Sequence, residues 1–214
     1  MITSLEELMD KFNVIPRKQK TLILGIDGGG ASGKSTLAQK LQMINENVTV
    51  VHMDDFYKPS DERELIDHRN EIGANWDWRR VGTQVLSPLK NDMPSQYQKY
   101  DWDRDKMAEW STVLVGGIVI IEGCYSIRKE LSHLYDILIW VDSPREFRLE
   151  RGVKRDGNSN RQMWENVWLP AEDRYFEIQQ PTEYADIIID GTGQIGNISK
   201  FEVNVISDPN GLTE

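Results

Sequence analysis

Residues 28–35 read Gly-Gly-Gly-Ala-Ser-Gly-Lys-Ser, and few chain topologies accommodate such a run. Two glycines, a lysine and a hydroxyl stand in register for a phosphate-binding loop (P-loop). In such a loop successive backbone N–H groups converge on phosphate oxygens, and the following helix adds the positive end of its dipole. The motif requires a strand before it and a helix after it, and both flanks comply. Residues 21–26 (Thr-Leu-Ile-Leu-Gly-Ile) are a short apolar run suited to a buried parallel strand, and Leu37, Ala38, Leu41 and Ile44 recur at helical spacing. A nucleoside triphosphate is therefore the first ligand to consider. Gly28, Gly29, Gly30, Ala31, Ser32, Gly33 and Thr36 would cradle its phosphates, Lys34 would reach the β- and γ-phosphates, and Ser35 would hold Mg²⁺. A glycine-rich turn that merely joins strand to helix is the plainer reading, and it leaves that context unexplained.

Further strands follow the same logic. Residues 48–53 are rich in β-branched side chains and run directly into Asp54-Asp55-Phe56-Tyr57. Residues 117–122 form a third buried strand closed by Glu122, and residues 135–141 a fourth, followed by Asp142-Ser143-Pro144, a helix start. Residues 186–189 make a fifth, and residues 201–206 alternate as an added edge strand would. Strands alternating with helical segments predict a three-layer α/β sandwich around a mainly parallel five-stranded sheet. Near the N-terminus, Ser4 and Glu7 stand at capping-box spacing, with Leu5, Leu8, Met9 and Phe12 on one face of a helix that stops before Pro16. Between residues 58 and 110 periodicity fades while Trp76, Trp78, Trp102 and Trp110 accumulate, which predicts a short helical insertion with loops and a place for an acceptor pocket.

Composition narrows the partners. The 214 residues suit one well-buried domain, and no proline- or serine-rich linker divides them. A formal charge of −10 argues against a nucleic-acid duplex or an anionic membrane as the principal partner. Cys124 is the single cysteine, which excludes an intramolecular disulfide, fits a reducing cytosol and reads as a small apolar residue beside the sheet. No secretory signal pattern opens the chain, and its longest apolar stretch, residues 113–121, is too short to span a bilayer, so a cytoplasmic protein is expected.

In an open parallel sheet ligands bind outside the carboxyl ends of the strands, where the P-loop, Asp54 and Glu122 should meet. Phosphoryl transfer needs Mg²⁺, neutralisation of the γ-phosphate and a group that accepts the proton of the attacking hydroxyl. Asp54 is the candidate base, and Glu122 with Ser35 the candidate Mg²⁺ site; Asp55 is balanced between a role and a solvated loop, and Asp27 stays unassigned. Arg148, Arg151 and Arg155 share one helical face, with Arg161 a short loop later, and from Arg145 to Arg161 six basic residues face three acids. Guanidinium groups suit a transferring phosphoryl group, and residues 156–160 have the polar, flexible character of a lid. Arg145 and Arg148 read better as solvated partners of Glu146 and Glu150. His52, His68 and His133 show no metal-ligand spacing, so no zinc site is expected.

From about residue 22 to residue 191 the chain resembles the uridine kinase and phosphoribulokinase group of P-loop kinases, with nicotinamide riboside kinases nearby. Gly-Gly-Gly-Ala-Ser-Gly-Lys-Ser looks like the group's P-loop, Met53-Asp54-Asp55-Phe56-Tyr57 its Asp-x-Phe-Tyr signature, and Ile121-Glu122-Gly123 its Glu-Gly strand end. The lid helix resembles Val141-Asp142 and Arg148-Leu149 through Arg155-Asp156, and residues 181–189 the closing strand. The resemblance implies a P-loop NTPase fold, ATP with Mg²⁺, Asp54 as catalytic base, Tyr57 at the acceptor, and lid arginines on the ATP phosphates, with Lys34 and Arg155 assisting transfer. It also implies that Tyr100-Asp101 correspond to a Tyr-Asp pair at the nucleoside. Departures occur in both halves: in the acceptor half Asp67-His68-Arg69 lacks the usual proline and Asn75-Trp76-Asp77-Trp78 stands near the expected place, bringing Trp76 and Asp77 into consideration, while in the lid helix Arg151-Gly152 replaces paired arginines, with Arg161 as a substitute for a later one. The expected activity is ATP-dependent phosphorylation of a small-molecule hydroxyl, most simply a nucleoside 5′-hydroxyl, by a domain covering residues 1–214 with its lid over residues 145–175. A kinase for nicotinamide riboside, pantothenate or another hydroxylated metabolite is the variant reading, a nucleotide-dependent switch the rival, and a homo-oligomer is compatible with any of them.

Overall fold

Alternating residues of each central strand point to opposite layers, and this alternation organises the apolar core. In the computed structural model, which describes residues 1–64, 71–194 and 196–212, Leu22, Leu24 and Ile26 face one layer and Ile23 the other; Ile118 and Ile120 likewise oppose Val119 and Ile121. The strands are β1 (Ile2–Ser4), β2 (Leu22–Asp27), β3 (Val48–His52), β4 (Ser95–Asp101), β5 (Lys106–Val113), β6 (Ile118–Glu122), β7 (Ile137–Asp142), β8 (Ile187–Asp190) and β9 (Glu202–Ser207). Seven of them form one sheet in the order β1-β9-β8-β7-β2-β6-β3. The five expected strands are its parallel core, with Leu24 paired to Ile120 on one side and Ile137 on the other. Every residue of β2 is buried, as a central strand covered on both faces requires.

The strand expected over residues 201–206 is β9, which runs antiparallel to β8, but it is not the edge: the outermost place belongs to β1, which pairs antiparallel with β9. Three residues at the chain start gave no periodic signal, so β1 is visible only through its partner. Behind it, α1 (Leu5–Val14) carries the expected capping box: Ser4 Oγ accepts from the Glu7 N–H at 3.1 Å, and Glu7 Oε2 from the Ser4 N–H at 3.0 Å. Leu5, Leu8, Met9 and Phe12 of α1 join Leu37, Ala38 and Leu41 of α2 (Lys34–Ile44) in the layer on that side of the sheet.

The insertion differs from the expected helix with loops. Its helical part, α3, covers residues 78–90 and is π-wound over Val81–Leu86. Residues beyond it form an antiparallel hairpin of β4 and β5, with Ser95 opposite Val113 and Asp101 opposite Lys106. Val81, Val85, Leu86 and Leu89 of α3 pack with Tyr97 and Phe56 onto the second layer. The two longer helices of the C-terminal half are α4 (Arg145–Asp156) and α5 (Leu169–Gln179), the latter entered through a π-wound turn at Trp164–Trp168. Among the described residues no helix is long and apolar enough to cross a membrane.

Candidate active site

β2, β3 and β6 end side by side, so the segments that follow them converge. After β2 the loop turns at Gly28 and Gly33, both with positive φ (152° and 113°), and enters α2 with Lys34. Gly33 offers no side-chain cap, which leaves the first N–H groups of α2 without an intrahelical partner and directed into a cavity of about 1040 Å³ lined by Gly30, Ala31, Gly33, Lys34, Ser35 and Thr36. Asp54 follows β3 in a 3₁₀ turn, Met53–Phe56, and Glu122 is the last residue of β6. Both line the same cavity.

Glu122 is buried and its two oxygens are divided. Oε1 accepts from Ser35 Oγ at 2.7 Å, and Oε2 from His52 Nδ1 at 2.8 Å, which therefore carries the imidazole proton. Burial works to raise the Glu122 pKa, but the His52 hydrogen bond, the Lys34 charge and the Ser35 hydroxyl outweigh it and hold the carboxyl below its ordinary value. Lys34 is buried too, its Nζ donating to Gly29 O at 3.0 Å. Burial opposes its charge, yet Cys124, Glu122, Glu172 and Asp27 together raise its pKa.

Asp54 is open to solvent through the cavity while protein surrounds it on its other sides. That enclosure raises its pKa, against a 3.2 Å hydrogen bond from Trp76 Nε1 and with the help of the Glu122 charge. Trp76 stands edge-on to Tyr57 at a centroid distance of 5.0 Å, and the Trp102 ring lies 4.5 Å from that of Tyr57. Tyr57, Trp76 and Trp102 all line the cavity.

The lid arginines have separate fates. Arg151 donates from Nη1 to Gly191 O at 2.6 Å and from Nη2 to Thr192 O, and Arg155 pairs with Asp156 at 2.7 Å; both line the cavity. Arg161 pairs with Glu165 at 2.9 Å and is outside the lining. Arg148 departs furthest from the expected solvated helix face: it is 3% exposed and bound to Glu172, with Asp173 beside it. Arg145 keeps an exposed pairing, with Asp173 rather than Glu146.

Three expected acceptor residues are placed elsewhere. Asp77 accepts from the Arg80 N–H at 3.3 Å as the N-cap of α3, Tyr100 donates to Asp105 Oδ1 at 2.5 Å, and Asp101 accepts from the N–H groups of Asp103 and Arg104 at 3.0 Å. None of the three lines the cavity. Asp67, His68 and Arg69 lie outside the described residues.

Other residues at the site escaped the sequence reading. Glu172 Oε1 accepts from the Gly30 N–H at 2.9 Å, tying α5 to the P-loop, and Cys124 lines the cavity with Sγ 3.2 Å from Gly28 O, a thiol whose pKa burial pushes well up. His52 had a usable signal: in the parallel register of β3 and β6 it stands opposite Glu122.

A family model described as Phosphoribulokinase / Uridine kinase family matches residues 23–194, most of the chain. The chain belongs to that family. It is accordingly a nucleotide-binding P-loop kinase, a phosphotransferase with a hydroxyl acceptor. The uridine kinase of Borrelia garinii subsp. bavariensis is 29% identical over 181 residues, covering 78% of this chain and 85% of that one. The uridine kinase of Limosilactobacillus reuteri is 25% identical over 195 residues, covering 84% and 88%. A solved structure from Bacillus stearothermophilus, described as a possible uridine kinase, superposes with a TM-score of 0.68 at 26% identity, covering 86% of this chain and 96% of its own. A D-glycerate 3-kinase from Cryptococcus neoformans shares the fold, with a TM-score of 0.56 at 13% identity.

Proposed function

We propose that this kinase transfers the γ-phosphoryl group of ATP to a hydroxyl of a small metabolite, most simply the 5′-hydroxyl of a nucleoside. One observation carries the reading: a single cavity is lined both by the P-loop and by Asp54, Tyr57, Trp76 and Trp102, so a phosphate donor and a hydroxyl acceptor can share it. Asp54 accepts the proton of the attacking hydroxyl, and its raised pKa makes it a stronger base than an ordinary aspartate. Lys34, Arg151 and Arg155 neutralise the phosphates.

The donor set at Ser35 and Glu122 fits Mg²⁺, which takes hard oxygen ligands and is held by one or two protein groups together with substrate phosphates. Among the described residues no cluster of three or more metal-binding side chains exists, in keeping with a site that phosphates complete. When bound, the ion supplies positive charge to the transferring phosphoryl group. His52 fixes the far oxygen of Glu122 so that the near one stays turned toward Ser35.

ADP release measured over a panel of nucleosides, nicotinamide riboside, pantothenate and sugar phosphates tests the reading. A hydroxylated acceptor is expected to accelerate release, and Asp54→Asn to keep ATP binding while losing about 10²–10⁴-fold in turnover. Unchanged turnover in that variant removes Asp54 from the mechanism, and hydrolysis indifferent to every acceptor favours a switch.

A further inference from the structure

Beside the site lies a second cavity of about 570 Å³, which shares Arg63, Asn75, Trp76, Tyr125, Val167 and Ala171 with the first. A molecule whose hydroxyl reaches Asp54 can extend past Trp76 toward this space. Arg63 stands at the junction. Its Nη1 is 3.2 Å from the Tyr57 hydroxyl, its Nη2 3.4 Å from Asp105 Oδ1, and its guanidinium lies 4.7 Å from the centre of the Tyr57 ring. Its Nε is buried and has no hydrogen-bond partner among the described residues.

A buried cation N–H left without a hydrogen bond is costly, and among the described residues the carboxylate paired with Arg63, Asp105, is already engaged. Asp105 accepts from the Ser60 N–H at 3.1 Å, from the Ser60 hydroxyl and from the Tyr100 hydroxyl at 2.5 Å, so its hold on Arg63 is long and divided. Of the acids lining the second cavity, Glu71 is paired with Arg79 at 2.9 Å and Glu64 is solvent-exposed. Guanidinium presents its donors as a planar fork matched to carboxylate and phosphate oxygens.

Resting on the kinase reading above, we infer that the acceptor carries an acidic group, a carboxylate or a phosphate, at the end remote from its reacting hydroxyl, and that Arg63 receives it where the two cavities meet. Arg63 is then a specificity-determining residue, and a neutral nucleoside is the poorer substrate.

Matched acceptor pairs differing in that group test the inference in the ADP-release assay: nicotinamide riboside and nicotinic acid riboside, pantothenol and pantothenate, fructose and fructose 6-phosphate. The acidic member of at least one pair is expected to exceed its neutral partner by about 10- to 100-fold in kcat/KM, the range of a charge-assisted hydrogen bond. Carboxylate and phosphate pairs distinguish the two acids. Arg63→Gln should erase the ratio through KM, and Arg63→Lys should keep part of it. Acceptors that work equally well without the acid, or a ratio untouched in Arg63→Gln, overturn the inference while leaving the kinase reading standing. Because the ratio is measured on the unmodified protein, misfolding of a variant does not shelter it. ATP binding without any acceptor-stimulated release defeats both.

Discussion

Asp27 is wholly buried and accepts four hydrogen bonds: from the N–H groups of Gly28 at 2.6 Å, Tyr125 at 3.2 Å and Ile127 at 3.0 Å, and from the Tyr175 hydroxyl at 2.8 Å. It joins the start of the P-loop to the segment after β6 and to α5. Burial nevertheless wins over these donors and lifts its pKa from 3.8 to about 6. Between those values the unfolded chain has released the proton and the folded chain still holds it, so folding stability falls as pH rises through the window, by about 3 kcal/mol in all. Asp27→Asn should flatten that part of the pH dependence, measured by urea unfolding at pH 4, 5, 6 and 7, while lowering stability throughout because its amide nitrogen faces N–H donors. An equal slope in the variant would show that Asp27 is ionised across the whole range. At this scale the sequence disclosed the residues at the start of α2, Lys34 and Ser35, and those at strand ends, Asp54 and Glu122, since a strand-loop-helix pattern locates them without tertiary knowledge. Arg148 and Glu172 were hidden, because nothing local to either reveals that burial joins them.

Trp164 packs between α4 and the P-loop residue Gly30. Its indole donates to Asp156 Oδ2 at 3.0 Å, and its ring lies against the α4 residue Gly152 so closely that a Cβ there would come within 2.3 Å of ring atoms. The sequence shows Gly152 only as a departure from paired arginines; the structure gives its physical reason, since a side chain would displace Trp164 from between α4 and Gly30. Gly152→Ala should therefore destabilise the protein by about 1–3 kcal/mol despite the better helix propensity of alanine, a loss read from the midpoint of urea unfolding. A more stable variant would mean that Trp164 moves freely and is no fixed part of the lid. The hairpin of β4 and β5 marks the opposite limit of legibility. Its residues 95–101, Ser-Gln-Tyr-Gln-Lys-Tyr-Asp, hold only two apolar positions, Tyr97 and Tyr100, whose spacing breaks the period of two where the register shifts between Gln98 and Tyr100. A bulge erased the one periodic signal the hairpin had.

The cavity is assembled from segments distant in the chain: the P-loop, the turn after β3, the end of β6, α4 and α5, and after β8 Gly191, Thr192, Gly193, Asn197 and Ile198. The five central strands, though not their order, were legible because each is an apolar run flanked by helical or loop signals. How α4 and the insertion pack around them was not, since those contacts join residues distant in sequence. A ligand that spans these segments stabilises the fold as a unit, because it binds the folded chain alone. ATP with Mg²⁺ at a hundred times its dissociation constant contributes about 2.7 kcal/mol, which for a chain of this size raises the unfolding midpoint by about 5–10 °C. Lys34→Ala should lose most of that shift, and chelation of the metal should reduce it in the unmodified protein, both followed by thermal unfolding with and without nucleotide. Since Lys34 is buried among Cys124, Glu122, Glu172 and Asp27, its removal also changes the stability of the ligand-free protein, so the informative quantity is the nucleotide-induced shift within each variant. A shift in Lys34→Ala equal to that of the unmodified protein would place nucleotide binding outside the P-loop.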